Sequence, residues 1–210
     1  MIIKLVRHGE SLANAGALSP QEVGDHKIGL SDRGKQQAET AGRLLGPGFM
    51  ERALIYCSPY QRTRETLAGL LRGAGVPVNG RRIFEDPRLR EVEHGYVDVD
   101  QQEQLRQTHG TFYYRFQGGE SPADCYDRTS AFLESLMRQV NRKQAGEALV
   151  VTHGLTIRCF VMRFLHLTVE QFDSLANPAN CDVVTLGPNT ECDRPQFVAG
   201  AWGIEGLRLR

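Results

Sequence analysis

The residues best suited to chemistry come in two matching pairs. Arg7-His8-Gly9-Glu10 directly follows the apolar run Ile2 to Val6, and His153-Gly154 directly follows Ala148 to Thr152. Each run is short and continuous, the pattern of a strand buried on both faces, so each histidine is delivered at a strand's carboxyl end. If the two strands lie parallel in one sheet, both imidazoles reach the edge where open α/β sheets place their ligands. A third basic residue belongs there too. Ser58-Pro59-Tyr60-Gln61 reads as an N-cap, a proline at the first helical position and a glutamine three after the cap, which puts Arg62 in a helix's first turn. Arginine is unfavourable near a helix N-terminus unless an anion compensates it. Two guanidinium groups, two imidazoles and helix N-termini with unpaired N–H groups are the parts of a phosphate site. A neutral imidazole in such a pocket can attack phosphorus while the cations stabilise charge spread over the transferring oxygens. His8 is the candidate nucleophile, because Gly9 removes a side chain beside it and lets substrate approach, and His153 is the candidate donor to the phosphoryl oxygens. The leaving alkoxide needs a proton, for which Glu91, Glu93 and Asp98 compete.

Strand-like runs at 2–6, 53–57, 148–152 and 182–186 alternate with segments of helical period, which predicts a layered α/β domain with helices on both sheet faces. After Ser31, Ala38, Ala41, Leu44 and Leu45 recur at helical spacing, and Gly46-Pro47 supplies a stop. Ser121-Pro122-Ala123-Asp124 opens a helix that runs to Val140 and feeds the His153 strand, another helix spans about 155–165, and Thr168-Val169-Glu170-Gln171 caps a further one. The segment from about 88 to 120 has no clean period, is rich in polar and aromatic residues and is punctuated by Gly95, Gly110, Gly118 and Gly119. It reads as a lid-like insertion in a single domain spanning 1–210. The last strand is expected near 197–202.

The 210 residues carry 25 basic and 25 acidic side chains, so no global field points to nucleic acid or an anionic membrane as partner. No apolar stretch approaches the ~20 residues that span a bilayer. The strand at residue 2 leaves no room for a signal peptide, and the five cysteines, Cys57, Cys125, Cys159, Cys181 and Cys192, are odd in number and scattered. A reduced, cytoplasmic setting is the expectation. His26, His94, His109 and His166 show no metal-ligand spacing and no Cys-x-x-Cys pair occurs, so neither a metal nor another cofactor is expected. The aromatic cluster Phe112 to Phe116 lacks a surrounding basic stripe and reads as a lid over substrate, not a base-stacking platform.

Leu5-Val6-Arg7-His8-Gly9-Glu10-Ser11 with Asn14, Ser58-Pro59 with Arg62 and Thr66, Leu89-Arg90-Glu91, and Thr152-His153-Gly154 together resemble the histidine phosphatase superfamily, in its phosphoglycerate-mutase-like branch. Four spaced motifs in the right order over nearly the whole chain are far more specific than any one tripeptide. The resemblance implies a three-layer αβα sandwich with a mostly parallel central sheet and a phosphohistidine intermediate. It makes His8 the nucleophile, assigns the phosphoryl group to Arg7, Arg62 and His153 with Asn14 and Gly154 assisting, makes Glu91 general acid and later base, and implies no metal. Phe112-Tyr113-Tyr114-Arg115-Phe116 followed by Gly118-Gly119-Glu120-Ser121, with Arg158-Cys159 after His153, resembles the bisphosphatase domain of 6-phosphofructo-2-kinase/fructose-2,6-bisphosphatase. Arg115 and Arg158 are then candidates for holding a distal anionic group. The glycolytic mutases differ in carrying a tryptophan where this chain has Ala13, and no kinase-type glycine loop with lysine is present. The expected activity is metal-independent hydrolysis of a phosphomonoester, with a mutase or a non-catalytic phospho-ligand or protein-binding module as alternatives. The expected partner is a small phosphorylated substrate, a phosphoprotein remaining open, and the chain is expected as monomer or homodimer.

Overall fold

Residues 1–95, 97, 100–192 and 195–210 are described by the structure, a computed structural model. Its strands are β1 (Ile2–Arg7), β2 (Leu54–Cys57), β3 (Ile83–Glu85), β4 (Glu147–Thr152), β5 (Val183–Pro188), β6 (Phe197–Ala199) and β7 (Trp202–Glu205). They form one sheet in the order β3-β2-β4-β1-β5-β7-β6. The first four are mutually parallel, and β5, β7 and β6 continue the sheet by antiparallel pairings. Only β5 and β6 therefore run against the rest. Register fixes the chemistry: Arg7 pairs with Thr152, so His8 and His153 are the next residues out of adjacent strands.

The helices are α1 (Pro20–Val23), α2 (Asp32–Arg52), α3 (Gln61–Gly73), α4 (Glu103–His109), α5 (Pro122–Lys143), α6 (Gly154–Leu165) and α7 (Val169–Ser174). Alternation along the central strands explains the layers. Ile3, Leu5, Ala148 and Val150 pack with Phe132 and Leu136 of α5 and Ile157 and Phe160 of α6. Val6, Leu149 and Val151 pack on the other face with Ala38 and Leu45 of α2 and Leu67 and Leu70 of α3. Strands covered on both faces favour apolar residues on either side, which is why these runs look nearly continuous in sequence, the exception within β1 being half-buried Lys4, whose ammonium lies 4.6 Å from the Phe49 ring centre. A third cluster joins Val92, Phe112 and Phe116 of the 88–120 segment to Cys125, Cys159 and Phe172, so this segment is anchored on α5, α6 and α7.

Three expectations need correction. Gly46-Pro47 does not end α2: Gly46 takes φ 75°, the axis kinks, and helix resumes to Arg52. Ser58 is not the N-cap of α3, whose cap is Tyr60 with no side-chain hydrogen bond, whereas Ser121 and Thr168 form the expected capping boxes. The C-terminal strand is a hairpin of β6 and β7, and the short β3 carries no sequence signal of its own. Among the described residues, no helix is long and apolar enough to cross a membrane.

Candidate active site

The β1 end and the start of α3 line one cavity through Arg7, His8 and Arg62, while His153 at the β4 end is buried behind His8 and, with Gly154, is not among the lining residues. His8 is 4% exposed, and its backbone N–H continues the ladder by donating to the Thr152 carbonyl at 2.9 Å. Its Nδ1 lies 2.7 Å from the Gly9 carbonyl oxygen, an acceptor, which assigns the ring proton to Nδ1 and leaves the lone pair on Nε2. Burial, then the cations Arg62 and Arg7, push its pKa down to about 3 against the opposing pull of the Gly9 carbonyl. The ring is therefore neutral at physiological pH.

His153 is fully buried, its ring edge-on to His8 with centroids 5.2 Å apart. Burial foremost, with Arg62 and His8 adding, holds its pKa well below the usual histidine value. The Ser58 hydroxyl lies 2.9 Å from Nε2 and also accepts the Tyr60 N–H at 3.4 Å. With that hydroxyl donating to Nε2, the imidazole proton resides on Nδ1, a buried atom with no partner among the described residues. Arg7 presents a second such donor: Nη1 is held by the Pro178 carbonyl at 2.6 Å, but buried Nε has no acceptor. Burying a polar group unpaired is unfavourable, so two orphans at the ends of paired strands point to an external acceptor.

Arg62, 5% exposed, is compensated at its helix N-terminus by Asp25, which takes three of its hydrogen bonds. Arg7, His8, Asn14, Arg62 and Glu91 all line one cavity of about 540 Å³. Glu91 Oε1 accepts the Val92 N–H at 3.0 Å and lies 3.3 Å from the Thr156 hydroxyl, whose single proton is donated to the Arg90 carbonyl at 2.8 Å. Asn14 Oδ1 accepts from the Ser11 N–H and from Asn180 Nδ2, each at 3.2 Å. Gly154 starts α6, where a Cβ would lie 3.1 Å from the Asn177 side chain, itself a cavity residue. A larger groove of about 640 Å³ beside Leu133, Phe164 and Trp202 holds none of these groups.

Arg115 and Arg158 are not brought to the cavity. Arg115 is exposed and paired with Asp124 in the first turn of α5 at 2.5 Å. Arg158 is buried, donates to the Phe172 carbonyl at 2.8 Å and lies 4.2 Å from that residue's ring centre, and burial lowers its pKa to about 10. The reason for Gly9 also differs from expectation: a Cβ there would meet the Gly34 carbonyl oxygen at 2.5 Å, so the glycine serves packing on α2. Among the competing carboxylates, Glu93 lines the same cavity and Asp98 falls outside the described residues. Sequence reasoning missed Asp25, Asn177 and Asn180. The signal available was topological: β5 runs opposite to β1, so the polar loop 176–180 ahead of β5 must reach the same edge. Asn180 Nδ2 duly donates to the His8 carbonyl at 3.0 Å. Among the described residues no group of three or more His, Cys, Asp or Glu side chains could hold a metal ion.

The family model of the histidine phosphatase superfamily (branch 1) matches residues 3–199. Phosphoglycerate mutase-like protein AT74 of Arabidopsis thaliana is 40% identical over 202 residues, covering 86% of this chain and 63% of that protein, so the chain spans just under two thirds of its length. A broad-range acid phosphatase of Saccharomyces cerevisiae is 26% identical over 282 residues, covering 88% of this chain and 84% of that one. Among solved structures, mycobacterial glucosyl-3-phosphoglycerate phosphatase in complex with VO3 superposes with a TM-score of 0.71 at 23% identity, covering 100% of this chain and 96% of the other, a likeness of fold.

Proposed function

The chain belongs to the histidine phosphatase superfamily, branch 1, and from that premise we propose that it is a metal-independent phosphomonoester hydrolase working through phospho-His8. One observation carries this reading: a neutral imidazole with Nδ1 engaged by the Gly9 carbonyl, and so Nε2 unprotonated, lies among Arg7, Arg62 and a second buried imidazole. His8 Nε2 attacks phosphorus, the P–N bond forms as the ester P–O bond breaks, and the leaving oxygen takes a proton from Glu91. Glu91 then accepts a proton from water, whose oxygen displaces His8 and releases inorganic phosphate. Arg7 Nε and His153 Nδ1, the two orphaned donors, and Arg62 receive the phosphoryl oxygens. Asn14 and the N-terminus of α6 at Gly154 complete the cradle.

The name acid phosphatase carried by relatives supports hydrolysis. With Arg115 and Arg158 engaged elsewhere, the substrate we favour is a small monophosphate, not a bisphosphate. The mutase reading draws its support from the names of the two plant relatives. A cytoplasmic site of action is in keeping with five free, buried cysteines.

The test is phosphate release from a panel of phosphomonoesters in a metal chelator, with His8→Ala and Glu91→Gln beside the wild type. We expect His8→Ala to lose at least about 10³-fold in turnover. Glu91→Gln should slow alkyl phosphates by about 10²-fold or more while sparing the first-turnover burst of p-nitrophenol from p-nitrophenyl phosphate, whose leaving group needs no proton, before the base-dependent hydrolysis of phospho-His8 slows later turnovers. Release that survives in His8→Ala rejects the mechanism, and positional exchange of a phosphoglycerate without free phosphate identifies a mutase.

A further inference from the structure

Arg62 has five N–H donors, and three of its hydrogen bonds go to one residue. Nη1 donates to the Asp25 carbonyl and to Oδ1, both at 2.8 Å, and Nη2 donates to Oδ2 at 2.9 Å. This end-on fork occupies the tip of the guanidinium. The side edge, formed by Nε and the second Nη2 hydrogen, has no acceptor among the described residues. The Tyr60 ring lies 4.9 Å from the guanidinium carbon and covers one face. Asp25 opens a short 3₁₀ turn, Asp25–Lys27, and is set in place by Gly24 at φ 79°, a conformation that strains any residue with a Cβ. Asp25 lines the same cavity as His8 and Arg62.

We propose that Asp25 is a positioning residue for phosphoryl binding: it clamps the tip of Arg62 so that the side edge presents two parallel donors to the phosphoryl oxygens beside His8. The proposal rests on the phosphohydrolase reading above. An unheld arginine loses rotamer freedom when it fixes an anion, and a clamp set during folding removes that loss from substrate binding. The opposite role, a carboxylate that blocks Arg62 until substrate displaces it, fits the geometry less well. Release would have to break the main-chain bond to the Asp25 carbonyl along with both carboxylate bonds.

The experiment measures inorganic phosphate and orthovanadate affinity by calorimetry, and KM and kcat with p-nitrophenyl phosphate. It compares wild type, Asp25→Ala, Asp25→Asn, Arg62→Ala and the Asp25→Ala/Arg62→Ala double variant, each checked for an unchanged melting transition. We expect Asp25→Ala to weaken phosphate about tenfold, and Asp25→Asn, which keeps the shape and the main-chain acceptor, to lie between it and wild type. Removing Asp25 should change nothing further once Arg62 is absent. If Asp25→Ala fails to fold, the Asp25→Asn affinity decides alone. Tighter phosphate binding by an Asp25 variant, unchanged binding, or an additive double variant each overturns the clamp. A wild type that binds phosphate yet turns over no ester refutes the hydrolase reading while the affinity series still decides the role of Asp25.

Discussion

At the scale of single residues, the site rests on two imidazoles kept uncharged by burial, and that has a measurable consequence. Both pKa values are depressed in the folded chain, His8 to about 3, while the unfolded chain takes up protons near the ordinary histidine value of about 6.5. The unfolded state therefore binds more protons below that pH. The stabilisation is complete above about 6.5 and is lost progressively as pH falls toward 3. Thermal melts should show the midpoint dropping between pH 7 and pH 5, with a flatter decline in His8→Asn; a midpoint equal at both pH values would contradict the burial argument. Asp86 and Asp124, whose pKa values are lowered, add their own losses only in the carboxylate range. His8, His153, Arg7 and Arg62 were legible in sequence because each lies within two residues of a strand end or inside a first helical turn. Arg115 and Arg158 were not, because their destinations depend on Asp124 and Phe172, partners chosen by tertiary packing.

At the scale of elements, α2 and α3 approach with backbones nearly touching. A Cβ on Gly42 would lie 2.2 Å from the Leu70 carbonyl oxygen, and one on Gly73 would lie 2.0 Å from that of Glu39. Gly42→Ala must push the helices apart, and we expect a loss of roughly 1–3 kcal/mol in urea unfolding, although alanine has the higher helix propensity. A gain in stability would show that the contact relaxes freely. The same pair of helices shows what local signals could and could not give. The four-residue pattern at Ser58 is the one that works at Ser121 and Thr168, yet the Ser58 hydroxyl is drawn to His153 and the helix starts three residues later. Gly46 reads as a stop by its conformational freedom, but Phe49 and Met50 bury on the sheet and draw the chain back into helix.

At the scale of the whole molecule, β1 lies between β4 and β5, with Ile2 opposite Glu147 and Ile3 opposite Leu186. Its side chains feed both faces of the core. A chain ending at residue 180 would leave β1 with a bare edge and its core face without Val184 and Leu186, so we expect no cooperative urea transition from it; a sharp transition would show that β5 is dispensable. The three-layer architecture was legible because the central strands are apolar over most of their length, with Lys4 the one charged residue inside the β1 run Ile2 to Val6. Strand order was not, since pairings this distant leave no local trace. The position of β1 also bears on synthesis. The segment that carries His8 emerges from the ribosome long before either neighbouring strand exists, so a sticky, unpartnered strand must wait until β4 and β5 have been made. The nascent chain in that interval is the form most exposed to misassociation, and the one for which a chaperone's grip on Ile2 to Val6 would matter most.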